Sequence, residues 1–209
     1  MKVIVFGATG TVGKLAVEEL LKAGHAVTAF ARNPAKLEIK DPKLTHFVGD
    51  ALKASDVRSA VKGHDAAVIT LGSDMSRKSI VRSKGTLNVI NAMQVHGVRR
   101  LVCQSTLGAH ESWSNLNFWW KHVMFGMLLK PVFEDHELQE EMVRASGLDW
   151  TIVRPGAFTD APANGAYKEN FPATERKLTL KIPRADIAAF LSRQVSDASY
   201  LGRAVSISN

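Results

Sequence analysis

The stretch VIVFGATGTVG, from Val3 to Gly13, decides the fold of this chain. A run of four apolar residues leads directly into three glycines that recur at every third position. An amphipathic helix pattern follows and closes at Gly24, and a second apolar run from Ala26 to Ala31 ends at Arg32. A strand, a glycine-rich turn, a helix and a second strand within about thirty residues are typical of a nucleotide-binding βαβ unit.

Each glycine of the turn has a different physical role. Gly7 permits a tight turn, Gly10 lets a pyrophosphate approach the backbone, and Gly13 lets the helix pack closely on the sheet. The helix N-terminus offers unpaired N–H groups to the phosphates. A Walker-type phosphate loop does not fit, because Ala8 takes its first glycine position and Leu15 its Ser/Thr position. We therefore predict cofactor contacts along the turn, at Gly7, Thr9, Gly10, Thr11, Val12 and Gly13.

The end of the second strand selects between the two nicotinamide cofactors. A site that prefers NAD places an acidic residue there to bind the ribose hydroxyls. No acid occurs from Val27 to Asn33; Arg32 stands there instead, with Lys36 a turn later. A guanidinium matches a 2′-phosphate, so the sequence predicts NADP(H) as the cofactor. The alternative is that Arg32 is a solvated surface residue.

Composition bounds the class of protein. With 209 residues, 45% of them hydrophobic, the chain is predicted to form a single domain over residues 1–209. The net charge is +7, but the basic residues are scattered, which argues against a nucleic-acid partner. The only cysteine, Cys103, suits a reducing compartment. No signal-peptide pattern and no apolar run of about eighteen residues occur, so we expect a cytoplasmic protein without a transmembrane segment.

Strand and helix patterns alternate along the rest of the chain. Continuous apolar strands separated by helices predict an α/β fold: a doubly wound (Rossmann) parallel sheet with helices on both faces and a substrate pocket formed by C-terminal loops. Strands are predicted over residues 44–48, 66–71, 101–104, 150–153 and 204–207. Helices are predicted over residues 54–61, 79–96, 117–129, 134–145 and 183–195.

Ligands of such a sheet lie beyond the carboxyl ends of the strands, where the strand order reverses. Asp50 follows the third strand and would either bind the adenine amino group or cap the helix near Ala54. Leu71, Gly72 and Ser73 would bring backbone close to the cofactor ribose or form a plain turn. Besides the glycine turn and Arg32, the predicted cofactor contacts are Asp50, Ala51, Leu71, Gly72, Ser73, Ser105 and Pro155.

The motifs resemble those of a known group. The segment GATGTVG, Arg32, Gly49-Asp50 and the segment from Ser146 to Gly156 (SGLDWTIVRPG) resemble the atypical short-chain dehydrogenase/reductase superfamily. Its NAD(P)-binding, NmrA-like branch, which includes the biliverdin/flavin reductases, is the most similar, and that likeness extends over most of the chain. The resemblance implies a Rossmann fold and a nicotinamide cofactor.

One departure from the superfamily pattern bears on the chemistry. Its usual members carry a Tyr-x-x-x-Lys motif, but Tyr167 and Tyr200 are the only tyrosines here and neither has a lysine four residues on. The expected region reads Phe118-Trp119-Trp120-Lys121 instead. The resemblance implies that the flavin-reductase-like branch works without the motif: the cofactor supplies the hydride and the pocket orients an electron-poor acceptor.

Three residues are the main catalytic candidates. Ser105 and Thr106 end the fifth strand beside the expected nicotinamide, where a hydroxyl could orient the substrate or merely cap the strand. His136 matches the histidine of a similar acidic stretch in the biliverdin/flavin reductases. Its acidic neighbours are expected to raise its pKa and suit it to donate a proton, unless it is a solvated or capping residue. His110 and Tyr167 are weaker candidates, and no metal-ligand spacing stands out.

The segment from Trp113 to Leu129 holds three of the four tryptophans. It is interpreted as a helix packed on the sheet, as an aromatic wall for a flat substrate, or as a surface for hydrophobic or membrane contact.

Two functions follow from the whole sequence. The first is an NADPH-dependent reductase of a flat conjugated acceptor such as a flavin, a biliverdin-like tetrapyrrole or a quinone. The second is a non-catalytic NADP(H)-sensing regulator or protein-interaction module, as the NmrA likeness implies.

Overall fold

The computed structural model describes residues 1–72 and 80–209, and within them an eight-stranded sheet forms the centre. The strands of this sheet are β1 (Lys2–Phe6), β2 (Ala26–Ala31), β3 (Leu44–Val48), β4 (Ala66–Ile69), β5 (Arg100–Gln104), β6 (Asp149–Pro155), β8 (Lys168–Glu169) and β10 (Arg203–Ser208). Their spatial order is β3-β2-β1-β4-β5-β6-β10-β8, so the order reverses between β1 and β4. Two further strands, β7 (Ala157–Thr159) and β9 (Lys181–Pro183), pair with each other.

Helices cover both faces of the sheet. Side chains of β1 alternate between two core clusters, with Val3 and Val5 in one and Ile4 and Phe6 in the other. The first cluster includes residues of α1 and α5, and the second includes residues of α2, α3 and α4. The α-helices are α1 (Thr11–Lys22), α2 (Ala54–Val61), α3 (Val81–His96), α4 (Lys130–Ala145) and α5 (Arg184–Gln194). The predicted doubly wound α/β fold is confirmed.

Two features depart from the predicted purely parallel sheet, an antiparallel edge strand and a separate pair of short strands. Strand β8 pairs antiparallel with β10, and the short β7 and β9 form their own parallel pair. Strands of two or three residues are too short to show an alternating pattern, so the sequence did not predict them. Elsewhere the predicted bounds differ from the observed ones by a few residues at the ends. The predicted start of the third helix at residue 79 lies outside the described residues.

The two helices predicted over residues 117–129 and 134–145 are almost continuous. The first is a wide π-helix, Trp119–Leu128, and α4 begins only two residues later, at Lys130. Pro131, which stands between the two predicted segments, lies in the first turn of α4 and does not separate them. An N–H has no partner within the helix there, so a proline is tolerated. In the part of the chain that is described, no helix has the length and apolar character needed to cross a bilayer.

Candidate functional site

A cleft of about 760 Å³ lies at the carboxyl ends of the central strands, where the strand order reverses. This is the place at which a doubly wound sheet binds its ligands. Most of the predicted cofactor residues line it: Gly7, Thr9, Gly10, Thr11, Val12, Arg32, Asp50, Ala51, Leu71 and Gly72. The predicted contact Ser73 lies outside the described residues.

The glycine turn is folded tightly on itself. Gly7 has φ +86°, and an added Cβ there would lie 2.6 Å from the carbonyl oxygen of Thr70. A Cβ at Gly13 would lie 2.1 Å from the carbonyl oxygen of Gly7. The N–H of Gly10 donates to that same oxygen at 2.9 Å. Gly13 therefore lies behind the turn and allows close packing, whereas Gly10 lines the cleft.

The start of α1 fits an anionic group. The helix begins at Thr11 with Gly10 as its N-cap, no side chain caps it, and its first turn contains no acidic residue. The first N–H groups of a helix have no partner within the helix. The residues that carry them, Thr11 and Val12, face the cleft. Backbone donors and the helix dipole are thus available to a pyrophosphate, and the site fits a dinucleotide cofactor.

Arg32 and Asp50 lie on the far side of this cleft. The exposed Arg32 directly follows β2, and Asp50 is the one acid among the described residues that line the cleft. The Oδ1 atom of Asp50 accepts a hydrogen bond from the N–H of Leu52 at 2.9 Å. Helix α2 has no side-chain cap, so Asp50 orders the turn before the helix rather than capping it. Its carboxylate remains on the cleft wall.

Residues at the end of β5 alternate in direction. Gln104 lines the larger cleft and Thr106 lines a second, smaller one, whereas Ser105 between them is fully buried and lines neither. Side chains of extended backbone point alternately to opposite sides, which turns Ser105 inward. The side chain of Ser105, predicted to lie beside the nicotinamide, is therefore turned away from both clefts, whereas its neighbours Gln104 and Thr106 each line one of them. Pro155 lines the smaller cleft rather than the cofactor cleft.

The smaller cleft has a volume of about 330 Å³. Its lining is almost wholly apolar and includes Leu107, Leu116, Trp120, Phe125, Leu129, Val132, Pro155, Ala157 and Leu180. Arg184 is the one cation among its described lining residues. His136 and Phe158 line both clefts and form a wall that the two share. The larger cleft, which has the size of a dinucleotide cofactor, therefore adjoins the smaller cleft, which we call the aromatic chamber.

His136 lies within α4 and is buried, so the expectation of a raised pKa is wrong. Burial and the nearby positive charge of Arg82 lower the pKa of His136 to about 3. The neighbouring Asp135 is directed away, toward the backbone N–H groups of Arg82 and Ser83 at 3.1 Å. The Nδ1 atom of His136 donates to Oε1 of Gln139 at 3.2 Å, which leaves Nε2 of the neutral ring as an acceptor.

This neutral ring has a measurable effect on stability. The folded pKa lies below the unfolded value of 6.5, so the folded protein binds fewer protons than the unfolded chain as pH falls. We expect the wild type to lose stability between pH 6.5 and 3, and His136→Gln to lose less over that window. Urea unfolding at about pH 7 and about pH 4.5 measures this difference. His46→Gln, at an exposed position of β3, is the control, and an equal loss in all three proteins would contradict the neutral ring.

A buried ion-pair network holds α4, and with it His136, against the sheet. Arg154 of β6 donates from Nε to Oε1 of Glu140 at 2.8 Å and from Nη2 to Oε2 at 2.5 Å. Glu111 also pairs with Arg154, at 3.0 Å, and with Arg144, at 3.1 Å. Although partial burial opposes it, these arginines lower the pKa of Glu111 to about 2.

The other histidine and tyrosine candidates lie away from both clefts. The Nε2 atom of His110 is 3.3 Å from the backbone oxygen of Glu137. Tyr167 packs against Phe190 with ring centroids 6.1 Å apart. The lining residues that the sequence analysis missed include Arg82, Gln104 and Arg184. The alternation of side chains along β5 could have indicated Gln104. Arg184 follows β9, whose three residues are too few to give a recognisable pattern in the sequence.

The fold and the cofactor cleft define an NAD(P)-binding protein with an oxidoreductase-like Rossmann fold. Residues 7–198 match the model of the NAD(P)H-binding family, and the chain belongs to that family. It is 32% identical over 182 residues to the uncharacterized chloroplastic protein At2g34460 of Arabidopsis thaliana, covering 78% of this chain and 61% of that protein. The chain thus spans about three fifths of that relative. The uncharacterized sugar epimerase YhfK of Bacillus subtilis is 28% identical over 174 residues, covering 79% and 76%.

Solved structures share the whole architecture. The oxidoreductase ylbE of Lactococcus lactis superposes with a TM-score of 0.84 at 22% identity, covering 100% of this chain and 91% of that chain. ChuY, an anaerobillin reductase of Escherichia coli O157:H7, gives 0.78 at 24% identity, covering 99% and 96%. A short-chain dehydrogenase/reductase of Veillonella parvula in complex with NADP gives 0.82 at 15% identity, covering 100% and 94%. The predicted NAD(P)-binding family is confirmed by the family model, and the predicted Rossmann fold is confirmed by these structures.

Proposed function

We propose that this protein is an NADPH-dependent reductase that transfers a hydride to a flat conjugated acceptor. One observation carries the proposal: the cofactor cleft and the aromatic chamber meet at a wall formed by His136 and Phe158. A dinucleotide that follows the glycine turn would bring its reactive end toward this wall. An acceptor in the chamber would then lie beside the reactive end of the cofactor. This positioning is most of what a hydride transfer needs from the protein.

The cofactor half of the proposal rests on the glycine turn and Arg32. The start of α1 would hold the pyrophosphate, and Arg32 would bind the 2′-phosphate that distinguishes NADP(H) from NAD(H). Asp50 would accept a hydrogen bond from the adenine amino group. When bound, reduced cofactor supplies the hydride, that is, two electrons and one hydrogen nucleus.

The acceptor half rests on the shape and composition of the chamber. The rings of Trp120 and Phe125 lie 5.4 Å apart on its wall and suit a flat, apolar partner. His136 is neutral and holds its one N–H inward, so the second proton of the reduction is assigned to water. A flavin, a tetrapyrrole or a quinone spreads the negative charge of the incoming hydride over its conjugated system. Such an acceptor can therefore be reduced without a proton donor on the protein. Arg184 pairs with the exposed Asp160, and it would favour an acceptor whose carboxylate or phosphate replaces that partner.

Steady-state oxidation of NADPH tests the function. The acceptors are riboflavin 5′-phosphate, riboflavin, biliverdin and a short-chain quinone, each measured against the same mixture without protein. We expect at least one to be reduced well above that background, and Gly10→Val to abolish the activity. Cofactor binding without reduction of any acceptor would contradict the reductase and leave a non-catalytic NADP(H)-sensing regulator in its place.

Cofactor choice gives a separate prediction. We expect NADPH to bind at least about tenfold more tightly than NADH, a difference of about 1.4 kcal/mol. Arg32→Ala should remove most of this preference and leave the affinity for NADH unchanged. Arg58→Ala, at an exposed position of α2 outside both clefts, is the matched control. Calorimetric titration with both cofactors decides the question, and a preference that survives Arg32→Ala would disprove this role.

A further inference from the structure

The π-helix and the residue before it carry large apolar side chains that project into solvent. Phe118 and Met127 are each 74% exposed, Trp119 is 57% exposed and Leu128 is 43% exposed. We call these four residues the apolar stripe. Isolated exposed apolar residues are normal on protein surfaces, but a group of this size on one element marks a contact surface.

The apolar stripe is not needed to hold the helix in place. The opposite side of the helix provides Phe125, which is buried in a cluster with Leu107, Leu116, Phe133 and Leu180. Hydrogen bonds of a π-helix span five residues, so positions four or five apart fall on the same side. Phe118, His122 and Met127 have this spacing, and the ring of His122 packs on that of Phe118 at 4.5 Å. The outward side is therefore a continuous surface on an anchored helix.

The sequence segment that carries the stripe contains positive charges only. No aspartate or glutamate occurs from residue 112 to residue 133, while Lys121 and Lys130 flank the exposed side chains. The nearest acids along the chain are paired: Glu111 binds Arg144 and Arg154, and Glu134 lies 3.8 Å from Lys130. Lys121 donates from Nζ to the backbone oxygen of Ser114 at 3.4 Å, which leaves its charge without an acidic partner among the described residues. The whole chain carries a net charge of +7. An anionic partner is thus favoured both near the stripe and over the molecule as a whole.

We propose that the apolar stripe docks on the anionic surface of a lipid bilayer. Tryptophan and phenylalanine insert readily at the level of the headgroups, and flanking lysines bind anionic lipids. The π-helix has ten residues, too few to cross a bilayer, so it lies in the plane of the interface. The helix reaches the chamber through Trp120, Phe125 and Leu129, so docking brings the chamber close to the lipid.

Flotation with lipid vesicles tests the proposal with the intact chain. Vesicles of phosphatidylglycerol and phosphatidylcholine in equal parts should bind the protein, whereas vesicles of phosphatidylcholine alone should bind at least about tenfold less, and salt should weaken the binding. Phe118→Ser combined with Met127→Ser should lower binding at least about tenfold. The matched control removes two exposed apolar side chains elsewhere, Val95→Ser with Leu201→Ser, and should bind like the wild type.

Charge reversal separates the two contributions. Lys121→Glu with Lys130→Glu should abolish the preference for anionic vesicles, while circular dichroism confirms that the fold is intact. Equal binding to both kinds of vesicle, or binding that the Phe118 and Met127 substitutions do not change, overturns the proposal. So does a dimer in sedimentation equilibrium that these substitutions dissociate, because the stripe would then be covered by a second copy of the chain. None of these measurements depends on reductase activity.

Discussion

Gly10→Val is expected to lower the affinity for NADPH by at least about 100-fold, or about 2.7 kcal/mol, while the protein remains folded. Gly10 lines the cofactor cleft at the start of α1. An added Cβ would lie 3.2 Å from the carbonyl oxygen of Gly7, a close contact that a small shift relieves. The two methyl groups of valine would extend beyond it into the space that a pyrophosphate needs to reach the helix N–H groups.

Fluorescence titration with NADPH measures the loss, and thermal unfolding without cofactor checks the fold. The matched control is Ala26→Val, which adds the same two methyl groups at an exposed position. Ala26 begins β2, whereas the cofactor cleft lies at the other end of this strand. It should bind NADPH like the wild type. If Gly10→Val is folded and binds NADPH with normal affinity, the phosphate site is not at the start of α1.

Arg154→Met is expected to destabilise the protein by about 3–5 kcal/mol, because it leaves a buried carboxylate without its main partner. The side chains of Arg154 and Glu140 are 1% and 0% exposed and make two hydrogen bonds to each other. After the substitution, Glu140 would keep only Arg144, at 3.6 Å, as a cationic partner within the network. Urea unfolding at neutral pH gives the change in free energy.

A second substitution distinguishes an unpaired charge from simple loss of packing. Arg154→Met with Glu140→Leu removes both charges and should recover most of the lost stability, while Glu111 and Arg144 still pair with each other. Arg99→Met breaks the exposed ion pair with Asp149 and should be nearly neutral. A double variant that is no more stable than Arg154→Met would assign the loss to packing rather than to charge.

The cofactor cleft could be predicted from sequence because its determinants are local. The glycines from Gly7 to Gly13 lie between a buried strand and a helix, Arg32 directly follows β2, and Asp50 is the second residue after β3. In a parallel sheet, residues that follow strands gather at one edge whatever the details of packing. Ten of the predicted cofactor residues therefore line the same cleft.

The environment of individual side chains could not be predicted in the same way. The pKa of His136 depends on burial and on Arg82, which lies on another helix and is distant in the sequence. The direction of the Ser105 side chain depends on the alternation of side chains at the end of β5. The sequence predicts the end of this strand only to within a residue, so it does not determine which side chains point inward. The smaller cleft combines residues from 106–136 with residues from 155–184, and no local pattern links these segments.

The wall shared by the two clefts implies that a cofactor in one and an acceptor in the other would be thermodynamically linked. Phe158 belongs to the short strand β7, and its ring lies 5.6 Å from the guanidinium carbon of Arg184. A ligand that shifts Phe158 or His136 in one cleft changes the shape of the other. By reciprocity, any factor by which cofactor alters the affinity for acceptor is the factor by which acceptor alters the affinity for cofactor. A substitution at Phe158 that changes this factor should therefore change it equally in a titration of cofactor and in a titration of acceptor.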